Sequence, residues 1–234
     1  GFDVGTHVFD LYNLQPGDLR FYRNSRSFSE VFFSQGRTQF EGMLNARLAR
    51  TFSGGANFSM DYRTINNLGQ FRYQRAKHNA LVMGLWIPVG SRYDGFLIFS
   101  KNVNRQQDNG GIVSDTAFGG EEFTGPINAA IHLPELKALT RHGDQSLHLT
   151  QHLRFAGDEE AGKRVLRATH SFAWRTQNWK FSDGDATEGI ASDSAFFGDF
   201  LVDRRGVRNY IELDRIDNTF TVNTFKSKTQ GRPS

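Results

Sequence analysis

Residues 40–63 read FEGMLNARLARTFSGGANFSMDYR, and this stretch decides the fold. Its even positions run Phe40, Gly42, Leu44, Ala46 and Leu48, against Glu41, Asn45 and Arg47 at odd ones; Met43 and Ala49 are the exceptions. Successive side chains of a strand point to opposite faces, so a period of two makes one face apolar and the other polar. Ser53-Gly54-Gly55 interrupts the pattern with a tight turn. Ala56, Phe58, Met60 and Tyr62 then alternate with Asn57, Ser59, Asp61 and Arg63. The two segments are expected to pair as a hairpin.

The same period recurs outward from this hairpin. Residues 71–89 begin polar and end with Leu81, Met83, Leu85 and Ile87 alternating against the smaller Ala80, Val82 and Gly84. Residues 96–104 return and become polar in the same direction, as a hairpin projecting beyond a membrane would. Between residues 106 and 145 the alternation fails among repeated glycines and Pro134, which predicts a long loop. It resumes with Leu147, Leu149, Leu153 and Phe155 against His148, Thr150, His152 and Arg154, and continues through residues 166–174. Shorter segments at 196–202, 207–213 and 219–225 bring the expected total to about nine strands. The organisation read from this is an N-terminal extended segment and turn over residues 1–26, followed by strands over 27–230.

Composition limits the solvent that the apolar face can meet. The chain has 234 residues, 38% of them hydrophobic and 13% aromatic, with a mean hydropathy of -0.53. Its longest apolar run, residues 80–89, is too short for a helix to cross a bilayer. A barrel of strands needs only alternate residues in lipid, so the low average is compatible with one. Segments of about nine to thirteen residues exceed the usual five or six of soluble strands and suit tilted membrane strands. Phe40, Phe52, Tyr62, Phe155, Trp174 and Trp179 fall near strand ends, where interfacial aromatic girdles are expected. Alternation alone leaves a soluble β-sandwich binding module open, because a sandwich turns the same face inward.

Other function classes find little support. The net charge of +3 is dispersed rather than gathered into a phosphate-tracking stripe, so no nucleic-acid partner is expected. With no cysteine there is neither a disulfide nor a thiolate metal site. His148 and His152 share a face, yet on a strand they stand about 13 Å apart, too far to hold one ion. Asp183, Asp185, Thr187 and Glu188 lack the glycine and glutamate placement of a calcium loop. No metal and no cofactor is expected. A nucleophile elbow, a phosphate-binding loop and a dinucleotide fingerprint are all missing, and the expectation is a protein that is not an enzyme.

Several stretches resemble the putative porin family of the Bacteroidota, outer-membrane β-barrel proteins. They are FDLYNLQPGDLRFYRNSRSFSEVFFSQG at 9–36, NFSMDYRTINNLGQFRYQRAKHN at 57–79, NGGI at 109–112, LTQ at 149–151 and HSF at 170–172, in the family's order. The resemblance implies an antiparallel transmembrane barrel in the bacterial outer membrane, surrounded by its lipid, with a diffusion or transport role. The N-terminus carries no export signal and the strands are few for the family, so a fragment of a larger barrel is expected.

The resulting expectation is a passive channel for small polar solutes, lined by Glu41, Asn45, Arg47, Asn57, Ser59, Asp61, Arg63, His148, His152 and Arg154. Basic loop residues Arg72, Arg75 and Lys77 would attract anions. The alternative for the same residues is a non-conducting structural barrel, a subunit of an envelope complex or a homo-oligomer.

Overall fold

The computed structural model describes residues 7–22, 26–114, 125–133, 138–156, 164–183 and 208–226. Their regular structure is all β apart from two short 3-10 turns. The strands are β1 (Phe28–Gln35), β2 (Gly42–Thr51), β3 (Asn57–Asn67), β4 (Ala76–Val89), β5 (Tyr93–Gln107), β6 (Leu139–Ala156), β7 (Arg164–Ser182) and β8 (Arg208–Lys226). They form one sheet in chain order, each antiparallel to the next, and β1 and β8 are left as open edges. Among the described residues the architecture is thus an arc of a barrel-type wall, not closed into a ring.

The expected hairpin is β2–β3, in the register Asn45↔Arg63 and Arg47↔Asp61. Its turn closes with the Phe52 N–H donating to the Ala56 carbonyl at 2.8 Å. Gly55 takes a φ of 83°, a left-handed conformation open to glycine at little cost.

Connections at the two ends of the sheet differ in length. Residues 52–56, 90–92 and 157–163 join strands at one end, while 36–41, 68–75, 108–138 and 183–207 join them at the other, the last two being the longest of all. Strand length also rises along the chain, from 8 residues in β1 to 19 in β7 and β8. A tilted strand needs about nine to eleven residues to cross the hydrocarbon, so β4 to β8 extend past it.

Three sequence expectations need correction. Residues 106–107 and 139–145, assigned to the long loop, close β5 and open β6; apart from Leu139 these parts of the strands are polar on both faces beyond the apolar band, so alternation gives no signal there. Residues 208–213 and 219–225, read within two separate strands at 207–213 and 219–225, belong to the single strand β8, because Asp214 and Asn218 on its apolar face break the period without breaking the backbone pairing; residue 207 lies outside the described residues. Trp179, placed in a girdle, pairs with His142 on the opposite face from Trp174. Residues 196–202, like Asp185, Thr187 and Glu188, lie outside the described residues.

Candidate functional site: the polar inner face

Following the register across the sheet collects the polar positions onto one surface. Glu30, Arg47, Asp61 and Val82 form one cross-strand row, continued by Ser100, Ser146 and Arg175. Asn45, Asn57, Ser59, Arg63, His148, His152 and Arg154 lie on the same face, here called inner. Glu41 precedes β2 and does not extend this surface. Its carboxylate instead accepts from the Thr38 and Leu68 backbone N–H groups and ties two connections together.

Burial is inverted relative to a water-soluble sheet. Asn57 is 0% exposed, and Ser100, Asn102 and Asn104 are each 1% exposed, all on the inner face. Apart from glycines, Ala168 is the one fully buried strand residue on the outer face among those described. The outer face exposes large apolar side chains: Val31, Val89, Ile216 and Phe220 are 70%, 58%, 67% and 68% exposed. Leu44, Phe58 and Leu149 also lie on it, and none is buried. Exposure of so much contiguous apolar surface to water is unfavourable, whereas lipid removes the cost.

What buries the inner face is the chain's own N-terminal segment. Leu14 and Leu19 pack with Ala80 and Val82, flanked by Phe21 and Ile98. Asn102 grips the segment as a neighbouring strand would, accepting from the Leu14 N–H at 2.9 Å and donating to the Leu14 carbonyl at 3.1 Å. Asn104 donates to the Asn13 side chain at 2.8 Å, and Asn57 donates to the Tyr22 carbonyl at 2.6 Å. Phe9 contacts the rings of both His78 and His142, while Tyr12 stacks on His78 at 4.4 Å. Gly84 marks the closest approach: a Cβ there would stand 2.5 Å from Leu19 Cδ2.

Sequence reasoning missed these anchors, though Ala80, Val82 and Gly84 supplied a signal. Small apolar residues on a face otherwise meant for water indicate that another chain segment lies on it. Asn102→Leu should remove both bonds to Leu14, each worth about 1 kcal/mol net. The expected result is faster hydrogen exchange and proteolysis within residues 9–22, with the strand amides unchanged.

The uncovered part of the inner face is knit by charge. Arg47 bridges Asp61 at 3.0 Å and Glu30 at 3.3 Å, and Arg63 donates to Asn45 at 3.1 Å. With Leu14 they border a cavity of about 190 Å³. Arg175 holds the buried Asp144 through two bonds of 2.8 and 2.9 Å. Near the short turns Arg154 meets Asp94 at 3.2 Å, and His152 bonds Thr169 at 2.9 Å. Among the described residues no group of three or more metal-ligating side chains converges.

The basic residues expected in a loop divide. Arg72 donates to Asn128 at 3.2 Å and Arg75 to Asn66 at 3.1 Å, both within the long connections. Lys77 is a strand residue of β4 on the outer face. Nearby, burial pushes the Asp108 carboxyl above its ordinary range, opposed by hydrogen bonds from the Thr140 hydroxyl and backbone. The folded form therefore takes up that proton at a higher pH than the unfolded chain, and this anchor gains stability as pH falls through the interval.

A sheet that buries polar side chains inside and presents apolar ones outside is the wall of a β-barrel membrane protein. The family model described as Putative porin matches residues 2–234, and the chain belongs to that family. No curated protein and no solved structure gives a significant match.

Proposed function

We propose that the chain forms part of an outer-membrane channel through which small polar solutes diffuse, with the outer face in lipid and the inner face lining the passage. The single observation behind this reading is the inverted burial: polar asparagines and serines enclosed, phenylalanine, isoleucine and valine exposed. Porin-family membership supports the general role. Selectivity would come from Glu30, Arg47, Asp61 and Arg63, whose fixed charges bias the potential in a confined space.

Arg47→Glu puts a third carboxylate between Glu30 and Asp61. In planar bilayers this variant should shift the reversal potential toward cation preference at unchanged open probability. An unchanged reversal potential would remove this triad from the conduction path.

A second reading has its own observation. The segment 9–22 covers the inner face over β3 to β6, as a plug in a closed structural barrel would. Conductance of the unaltered chain against Asn102→Leu separates the two: current only in the variant favours a plugged barrel, and equal current in both favours an open passage beside the segment.

A further inference from the structure

Beyond the apolar band, on the end with the long connections, the outer face carries a row of cations. Lys77 pairs across the ladder with Arg105, Arg105 with Arg141, and Arg141 with Lys180. All four are exposed. None of them is in an ion pair among the described residues; the ion pairs there involve other cations. Lys101 stands closer to the band, in the row of Leu81. Among the described residues, acids on the outer face beside the row stand at its margin, on β8: Glu212 accepts from Tyr210 and Asp214 from Thr176.

Like charges directly opposite one another on adjacent strands are destabilising. A row of four, with no carboxylate interleaved, therefore calls for an external anion. Resting on the reading that this face meets lipid, we propose that the row binds the phosphate groups of a membrane glycolipid. Charge complementarity selects phosphate, and height selects the class of lipid. Arg105, Arg141 and Lys180 lie six residues beyond Phe99, Leu147 and Trp174, the edge of the continuous apolar band on their strands. Six residues span about 20 Å of strand, or about 14 Å along the membrane normal at a tilt of about 45°. The headgroup layer of a simple phospholipid bilayer is only about 5–8 Å deep on each side. A phospholipid phosphate thus reaches Lys101, whereas the row meets the phosphates of a large, sugar-bearing headgroup.

The test uses the full chain in phosphatidylcholine vesicles containing phosphatidylglycerol or a glycolipid with a phosphorylated sugar core, followed by native mass spectrometry of retained lipid. A quadruple Lys77→Gln, Arg105→Gln, Arg141→Gln, Lys180→Gln variant should lose glycolipid affinity by at least about tenfold and keep its phosphatidylglycerol affinity. The double Arg105→Gln, Arg141→Gln variant should fall between, and decides the matter if the quadruple variant does not fold. Excess inorganic phosphate should compete poorly; full displacement by it would reassign the row to a free anion. Equal glycolipid retention by wild type and variants overturns the proposal. Heat-modifiable migration of the wild type is the separate check: its absence defeats the lipid-facing reading, whereas its presence with no glycolipid preference defeats this inference alone.

Discussion

Leu149→Arg should abolish most insertion of the folded chain into vesicles, while Thr150→Arg, one residue along the same strand, should leave it nearly intact. Leu149 shares an outer-face row with Leu85, Leu97 and Phe172, deep within the apolar band. An arginine at the midplane of a barrel's lipid face costs about 2–4 kcal/mol, or roughly 30- to 1,000-fold in the folding equilibrium. Thr150 faces inward beside Phe96 and Ser171 and is only partly buried, so a guanidinium there stays on the polar wall within reach of water. The measurement is the fraction of heat-modifiable protein after folding into vesicles across a urea series. Equal losses at the two positions would contradict the assignment of faces.

The second large effect is expected on the inner wall. Arg175→Met leaves Asp144, whose side chain is 2% exposed, without its two-pronged partner. Removing one member of a fully buried pair costs about 3–5 kcal/mol. Arg175 is itself 38% exposed, and solvent screening lowers the expected loss to about 2 kcal/mol. Arg47→Met should cost less, about 1 kcal/mol or below, because Arg47 is itself 45% exposed and neither of its partners is as buried as Asp144, Asp61 being 16% and Glu30 54% exposed. Urea unfolding midpoints in one lipid compare the two directly. Arg175→Met, Asp144→Leu should recover much of the loss, since an apolar pair of similar volume needs no charge compensation.

Most of the wall was legible in the residues. Where a strand crosses the apolar band, as at 42–51, 57–63 and 147–154, the period of two fixes both its existence and which side chains share a face. The register then brings Arg47 to Asp61 and Arg63 to Asn45, a pairing that spacing alone could only suggest. The period fails wherever both faces are polar, which is why residues 139–145 read as loop and why Asp214 and Asn218 split β8. The covering of the inner face was not legible, because packing of residues 9–22 onto β4 and β5 joins positions some 90 residues apart. Composition marks that contact only indirectly, through Ala80, Val82, Gly84 and the two buried asparagines. The cationic row was equally hidden: Lys77, Arg105, Arg141 and Lys180 are scattered in sequence and become neighbours only through the ladder.

Because the chain has no cysteine, a single cysteine can carry a spin label at each position from 147 to 154 in turn. With the protein in vesicles, collision with oxygen, which concentrates in hydrocarbon, should peak at 147, 149, 151 and 153. A water-soluble relaxant should peak at 148, 150, 152 and 154, reduced where the N-terminal segment covers the wall. The opposite phase, or no alternation at all, would mean that the apolar side chains of this sheet do not face lipid.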